Sequence, residues 1–196
     1  FTWRMQAHDH SASPAPSGGA DVSVRVGWSD DAPAIAEIQV SAWRATYAEV
    51  LPGELLDQLD AGEIAEVWAQ SLTQSTDARN RVLVGLERNT VRGFCVTGPC
   101  PDPDADPIRV GEISDLTVDP EHLGNGHGSR LMQAAVDTLV ADHFEIANVW
   151  VNSEADALRK FLESAGWAPD GAHRTLELIS GDAQVKQVRL HTTIAG

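Results

Sequence analysis

The stretch Asp115-Leu-Thr-Val118-Asp-Pro120-Glu-His-Leu-Gly124-Asn-Gly126-His-Gly128-Ser-Arg130-Leu-Met132 divides into three parts that decide the fold. A strand runs into Pro120, a loop with three alternating glycines follows, and an amphipathic helix over 128–141 begins at once. The first N–H groups of such a helix have no partner within it. The helix dipole favours negative charge there, and glycines let a phosphate approach the main chain closely. The loop is therefore a candidate pyrophosphate cradle. A nucleotide P-loop needs a Gly-Lys-Ser/Thr ending, which Gly128-Ser129-Arg130 lacks. A dinucleotide fingerprint needs a glycine or alanine where Ser129 stands, and belongs to a first βαβ unit rather than past the chain's midpoint. A glycine-rich turn without a ligand fits the same spacing, so the glycines alone leave the choice open.

On either side of the loop the apolar periodicity switches between two and 3.6 residues. Val22 to Trp28 alternates as a half-buried strand does, and Asp30-Asp31-Ala-Pro33 opens a helix that reaches about Tyr47 with Ile35, Ile38 and Trp43 at helical spacing. Pro52 restarts the chain into 54–59, and 63–72 is helical with Ile64, Val67 and Trp68 on one side. Strands at 81–87 and 91–97 flank the Arg88-Asn89 turn of a hairpin, and a loop dense in Pro and Asp spans 99–107. A strand at 109–118, the helix at 128–141, a strand at 147–151, a helix at 154–165 and strands at 173–178 and 184–192 complete the order. That order is an α/β chain with one mixed sheet and helices on its faces. Residues 1–20 stand apart. Their Ser/Pro/Gly/Ala composition cannot bury enough surface to offset chain entropy, so a disordered tail is expected ahead of one domain over 21–196.

Composition narrows the function. The 196 residues carry 14 Lys+Arg against 29 Asp+Glu, a formal net charge of -15, which repels a phosphate backbone and argues against a nucleic-acid partner. The sequence has no apolar run of the roughly 18 to 20 residues that a bilayer requires, and its start lacks the order of a secretory signal, so no membrane partner and a cytoplasmic location are expected. Cys95 and Cys100 are too few for a disulfide scaffold or a zinc site. His122 and His127 flank the glycines without a second cluster at ligand spacing, which reads as exposed loop histidines and no metal.

The segments Glu112-Ile-Ser-Asp-Leu-Thr-Val118-Asp-Pro120, Val149-Trp-Val151 and Arg159-Lys-Phe161-Leu-Glu-Ser-Ala-Gly166-Trp167, taken with the glycine loop, resemble the GNAT superfamily of acyl-CoA-dependent N-acetyltransferases. Ala42-Trp43-Arg44-Ala-Thr-Tyr47 with Leu51-Pro52, and Pro169-Asp-Gly-Ala-His-Arg174, resemble the acceptor-side helices and closing strands of a common bacterial branch. The resemblance covers about residue 22 to the C-terminus. It implies a GNAT-like fold, a mostly antiparallel central sheet splayed at two parallel strands with acetyl-CoA between them and helices on both faces. Backbone groups of Leu116, Thr117 and Val118 would pair with the pantetheine arm, and the N–H groups of Leu123, Gly124, Asn125, Gly126, His127, Gly128 and Ser129 would hold the pyrophosphate. Arg130 would add a cation beside the phosphates, unless it is simply solvated. Three positions depart from the family pattern: Leu123 replaces an Arg or Gln, Ala155 an Asn, and Leu162 the Tyr that protonates the departing thiolate.

The activity so implied is acetyl transfer from acetyl-CoA to a primary amine of a small molecule or peptide within a ternary complex. A non-catalytic acyl-CoA-binding regulatory module is the alternative. The amine must lose a proton before it attacks, and Glu112 is the first candidate to take it, with Asp115 in reserve. Strict alternation puts Glu112 and Ser114 on one face and Asp115 on the other. A thiol of pKa near ~8.5 leaves tolerably well without help, and Tyr47, the single tyrosine, is a substitute acid. Trp43, Arg44 and Tyr47 would wall the acceptor pocket, although an indole at position 43 suits the core as well. Neither cysteine has a histidine set by local sequence to activate it, which favours direct transfer. Asp102, Asp104, Asp106 and Glu112 around the acceptor-facing strand suit a cationic amine, and the edges of the closing strands suit a homodimer.

Overall fold

Seven strands form one sheet in the computed structural model, which describes residues 21–49, 51–178 and 183–195. The expected N-terminal tail lies outside the described residues. The strands are β1 (Val22–Val26), β2 (Arg81–Glu87), β3 (Thr90–Pro99), β4 (Val110–Val118), β5 (Ile146–Asn152), β6 (Ala168–Leu178) and β7 (Ala183–Thr193), in the order β1-β2-β3-β4-β5-β7-β6. Every neighbouring pair is antiparallel except β4 and β5. The β2–β3 hairpin turns at Arg88 and Asn89 with φ of 49° and 66°, the left-handed pair that matches the twist of the flanking strands.

Helices cover both faces. On one, α1 (Ala32–Tyr47) and α3 (Ala61–Thr73) pack Ile35, Ile38, Trp68 and Leu72 on Val84, Phe94 and Val96. Trp68 meets Phe94 edge-on with ring centroids 5.3 Å apart. Asp60 starts α3 by accepting bonds from the N–H groups of Gly62 and Glu63 at 2.7 and 3.1 Å. The short α2 (Gly53–Asp57) lies between α1 and α3 in the chain. On the other face, α4 (His127–Ala141) and α5 (Asp156–Ser164) bury Leu131, Ala135, Leu139 and Leu162 with Cys95, Ile113, Ala147 and Val149. Among the described residues no helix is long and apolar enough to cross a membrane.

The parallel ladder of β4 and β5 is short. It begins at Val110↔Ile146 and ends at Ile113↔Val149, although β4 runs on to Val118 and β5 to Asn152. The cause is a bulge. On β3, Val96 faces Asp115 and Thr97 faces Ile113, which leaves Ser114 as an extra residue in β4. A bulge bends its strand and increases the local twist, so β4 turns away from β5 at that point. Among the described residues, the edges of the two strands that face each other beyond it have no ladder partner.

The bulge also corrects the expected facing of the carboxylates. Alternation restarts after the extra residue, so Asp115 does not oppose Glu112. It pairs with Val96, which packs among the α1 and α3 residues, while Ile113 and Leu116 face α4 and α5. Among the element boundaries that differ from expectation, two bear on the site. The helix expected from 128 starts at His127, and the closing strand expected from 173 starts at Ala168, with an irregularity between Pro169 and His173 that hid its alternation.

Candidate active site

Where β4 and β5 part, a cleft of about 460 Å³ opens, walled by residues 113–117 of β4, 149–152 of β5, and Trp43 and Tyr47 at the end of α1. A second cavity of about 560 Å³ lies on the α3 side, with Trp68, Thr97 and Glu112 in its wall. The two meet at Ser114 and Asp115, which line both. A group seated at the bulge is thus reachable from either side.

The glycine loop continues from the end of β4. Asp119 accepts a bond from the N–H of Glu121 at 3.1 Å, and its carboxylate lies 2.9 Å from His122 Nδ1, which tightens a 3-10 turn over Pro120–His122. Gly124 and Gly126 then adopt φ of 80° and 81°, a conformation that a Cβ makes costly. Gly126 precedes α4 directly, and no side chain caps that helix. The N–H groups of His127, Gly128 and Ser129 are left for a ligand by the geometry of any helix start. Arg130 is exposed and folds back, its guanidinium donating to the Asn125 carbonyl at 3.3 Å. Unpaired strand edges, a cleft of ordinary ligand-site volume and an uncapped helix start fit the acyl-CoA donor that the sequence pointed to.

The histidines differ from expectation. His127 is only 3% exposed, in the first turn of α4, with Nε2 3.4 Å from a Glu87 carboxylate oxygen, and His122 is half-buried. Neither is an exposed loop residue, because the helix begins one residue earlier and turns His127 inward with Leu131 and Ala135.

Glu112 is shielded from water and Asp115 is half-buried. Glu112 is 5% exposed, and burial pushes its pKa up against the opposing pull of the Cys100 thiol, 3.5 Å from its carboxylate, and of Arg174, Trp150 and Arg189. Asp115 is also raised by burial, while bonds from the Thr117 hydroxyl, at 2.7 Å, and the Leu116 N–H hold it down. Both thiols are buried: desolvation pushes Cys95 up to about 12 and raises Cys100 as well.

Of the expected acceptor residues, Trp43 and Tyr47 line the cleft, and Tyr47 packs against the cluster of Leu51 and Leu56. Arg44 is exposed and donates to the Leu56 carbonyl at 3.3 Å, bracing α1 against α2 outside the cleft wall. Leu162, 0% exposed, closes the cleft floor where the family's tyrosine was expected, and Ala155 precedes α5 without capping it. The reading of Asp102 as free for a cationic acceptor is corrected: Arg189 pairs with it at 2.8 Å and with Asp170 at 2.7 Å. Asp104 and Asp106 are exposed, and neither is in the wall of either cavity.

The sequence reading gave no role to one part of the cleft wall. Arg174 of β6, Trp150 and Asn152 of β5 and Gln187 of β7 come together there. They come from three strands, and the β5–β7–β6 order makes them neighbours.

Residues 34–167 match the acetyltransferase (GNAT) family. The uncharacterized N-acetyltransferase YuaI of Bacillus subtilis (strain 168) is 27% identical over 130 residues, 66% of this chain and 71% of that protein. Among solved structures, an N-acetyltransferase from Staphylococcus aureus Mu50 superposes with a TM-score of 0.69 at 17% identity, over 90% of this chain and 100% of that one. The yncA protein of Salmonella typhimurium, solved with its cofactor acetyl-CoA, gives 0.62 at 17% identity, over 89% and 94%. At these identities the structural likeness is one of fold.

Proposed function

The chain belongs to the acetyltransferase (GNAT) family, and from that premise we propose that it transfers the acetyl group of acetyl-CoA directly to a primary amine of a small molecule or peptide, within a ternary complex. The observation that carries the reading is the cleft between β4 and β5, with an unpaired strand edge on its wall and the glycine loop at its end. Acetyl-CoA, when bound, supplies an activated thioester. The chain does the rest. The free edge of β4 at Leu116, Thr117 and Val118 offers backbone donors and acceptors to an extended amide chain, as a sheet edge does to an added strand. The loop from Leu123 to Ser129 offers N–H groups and a helix dipole to phosphates, with Arg130 at its rim. Those main-chain groups give a protein of net charge -15 a way to hold an anion without a basic surface.

Asp115, at the junction of the two cavities, takes the proton that the ammonium must lose. Glu112 stands behind it on the second cavity as the next acceptor. A carboxylate with a raised pKa is a stronger base than an ordinary one, and both are raised. Tyr47 is the proton donor nearest in kind to the absent family tyrosine, and it shares the cleft with Leu162. Neither cysteine is a ready nucleophile, since a thiol held near 12 is almost wholly protonated at neutral pH. The buried, protonated thiols support direct attack by the amine.

The test is release of the CoA thiol from acetyl-CoA across amines, amino acids and peptide N-termini, alongside calorimetric titration with CoA. Amine-dependent release is expected, and a protein that binds no CoA would end the reading. In the same assay Tyr47→Phe lowers kcat by about tenfold, below the usual span for a general acid because a thiolate is already a fair leaving group. Unchanged turnover removes Tyr47 from the mechanism.

A further inference from the structure

Arg174 is held unlike any other described arginine. The rest either have a carboxylate partner or are exposed. Arg174 is half-buried on the cleft wall and has no carboxylate at salt-bridge distance among the described residues. Its surroundings fix it all the same. Nε donates to Gln187 Oε1 at 2.8 Å, Gln187 Nε2 donates to Asn152 Oδ1 at 3.2 Å, and the guanidinium carbon lies 4.2 Å from the centre of the Trp150 ring. These contacts set the plane of the guanidinium and leave its two terminal nitrogens without a protein acceptor among the described residues. Burial pulls its pKa down even though Glu112 and Cys100 pull the other way, so the cation is incompletely compensated.

An arginine ordered on one edge and one face, desolvated and unpaired on its fork, has the geometry of a bidentate carboxylate site. The donor's phosphates are not the anion in question. Trp150 alternates with Val149 and Val151, which face α4 and α5, so Arg174 stacks on the opposite face of the sheet from the helix that the glycine loop starts. Within the same cleft, Asp115 and Ser114 stand at the bulge, and Trp43, Leu51 and Leu56 supply an apolar wall.

We propose that the acceptor is an α-amino acid with an apolar side chain, its carboxylate gripped by Arg174, its ammonium directed at Asp115 and its side chain laid on the wall of Trp43, Leu51 and Leu56. The inference rests on the acetyl-transfer reading above and names the substrate class of that site. The amine nitrogen, once deprotonated, forms the amide bond as the thioester C–S bond breaks, and CoA leaves as its thiol. A peptide N-terminus has an amide where the carboxylate would be, and a polyamine has no anion at all, so both lack the group that Arg174 recognises.

The experiment compares L-leucine, leucinamide and 3-methylbutylamine as acceptors for wild type, Arg174→Gln and Arg174→Lys, with thermal melts to check folding. Wild type is expected to prefer L-leucine over the other two. That preference, as a ratio of kcat/KM values, falls about 30-fold in Arg174→Gln and by less in Arg174→Lys, which keeps the charge but not the fork. Calorimetric titration of the CoA-saturated protein with L-leucine gives a second reading independent of turnover, with the heat lost in Arg174→Gln. Equal or better use of 3-methylbutylamine by wild type overturns the inference and leaves acetyl transfer standing. An Arg174→Gln loss shared equally by all three amines also overturns it, as would calorimetry in which L-leucine and 3-methylbutylamine bind alike. Absence of CoA binding is the separate result that fails the transferase reading itself.

Discussion

Asp115→Asn lowers kcat by about 10³-fold, within the span of a lost general base, and leaves the KM for acetyl-CoA within about twofold. The substitution keeps the size of the side chain and its bond from the Thr117 hydroxyl, so the bulge and the cleft wall are retained. It removes only the capacity to accept a proton. The pH profile separates this from a structural loss. Burial raises the carboxyl's pKa, so in wild type the base becomes protonated, and activity falls, at a higher pH than an ordinary aspartate would give as acid is added. Above that pH the base is ionised and the acid limb levels off. In Asp115→Asn the limb vanishes along with the rate. Glu112→Gln is the control: were it to carry the large loss and the limb while Asp115→Asn turned over normally, the roles of the two carboxylates would be reversed.

Gly126→Val weakens acetyl-CoA binding by about 10²-fold, the equivalent of one or two charge-assisted hydrogen bonds, and leaves the fold intact. Gly126 sits at φ 81° directly before α4, and a β-branched residue is strained there by roughly 1–2 kcal/mol or more. An added Cβ would lie 2.8 Å from a terminal nitrogen of Arg130, but that long side chain can move aside, so the backbone strain dominates. The loop relaxes by turning its peptide planes, and the N–H groups at the helix start lose their common direction. Calorimetric titration with CoA measures the loss, and a thermal melt within a few degrees of wild type shows that it is local. Undiminished affinity would mean that the phosphates are held elsewhere.

What was legible in the sequence was what local chemistry decides. Pro120 and the three glycines fix a strand end, a turn and a helix start within the stretch 115–132, with little help from the rest of the chain. The Arg88-Asn89 turn was legible for the same reason. The bulge at Ser114 was not, because an extra residue in β4 exists only relative to the register of β3. That one unseen residue reversed the expected facing of Asp115. His127 was misplaced by a helix boundary drawn one residue late, although its i, i+4, i+8 spacing with Leu131 and Ala135 marks a buried helical face. The segment 169–174 marked the closing strands, but nothing in it singled out Arg174 for a role. Its neighbour Trp150 lies 24 positions earlier, and no pattern within β6 says that an indole will lie beneath the guanidinium.

The interrupted ladder between β4 and β5 has a last consequence. The strands part in the middle of the sheet, which leaves backbone groups without ladder bonds where most sheets are best knit, and an acyl-CoA molecule would serve as the missing strand. A ligand that binds only the folded state adds to its stability by mass action. On that account acyl-CoA, when bound, would knit the sheet together at its centre and add to the protein's resistance to unfolding.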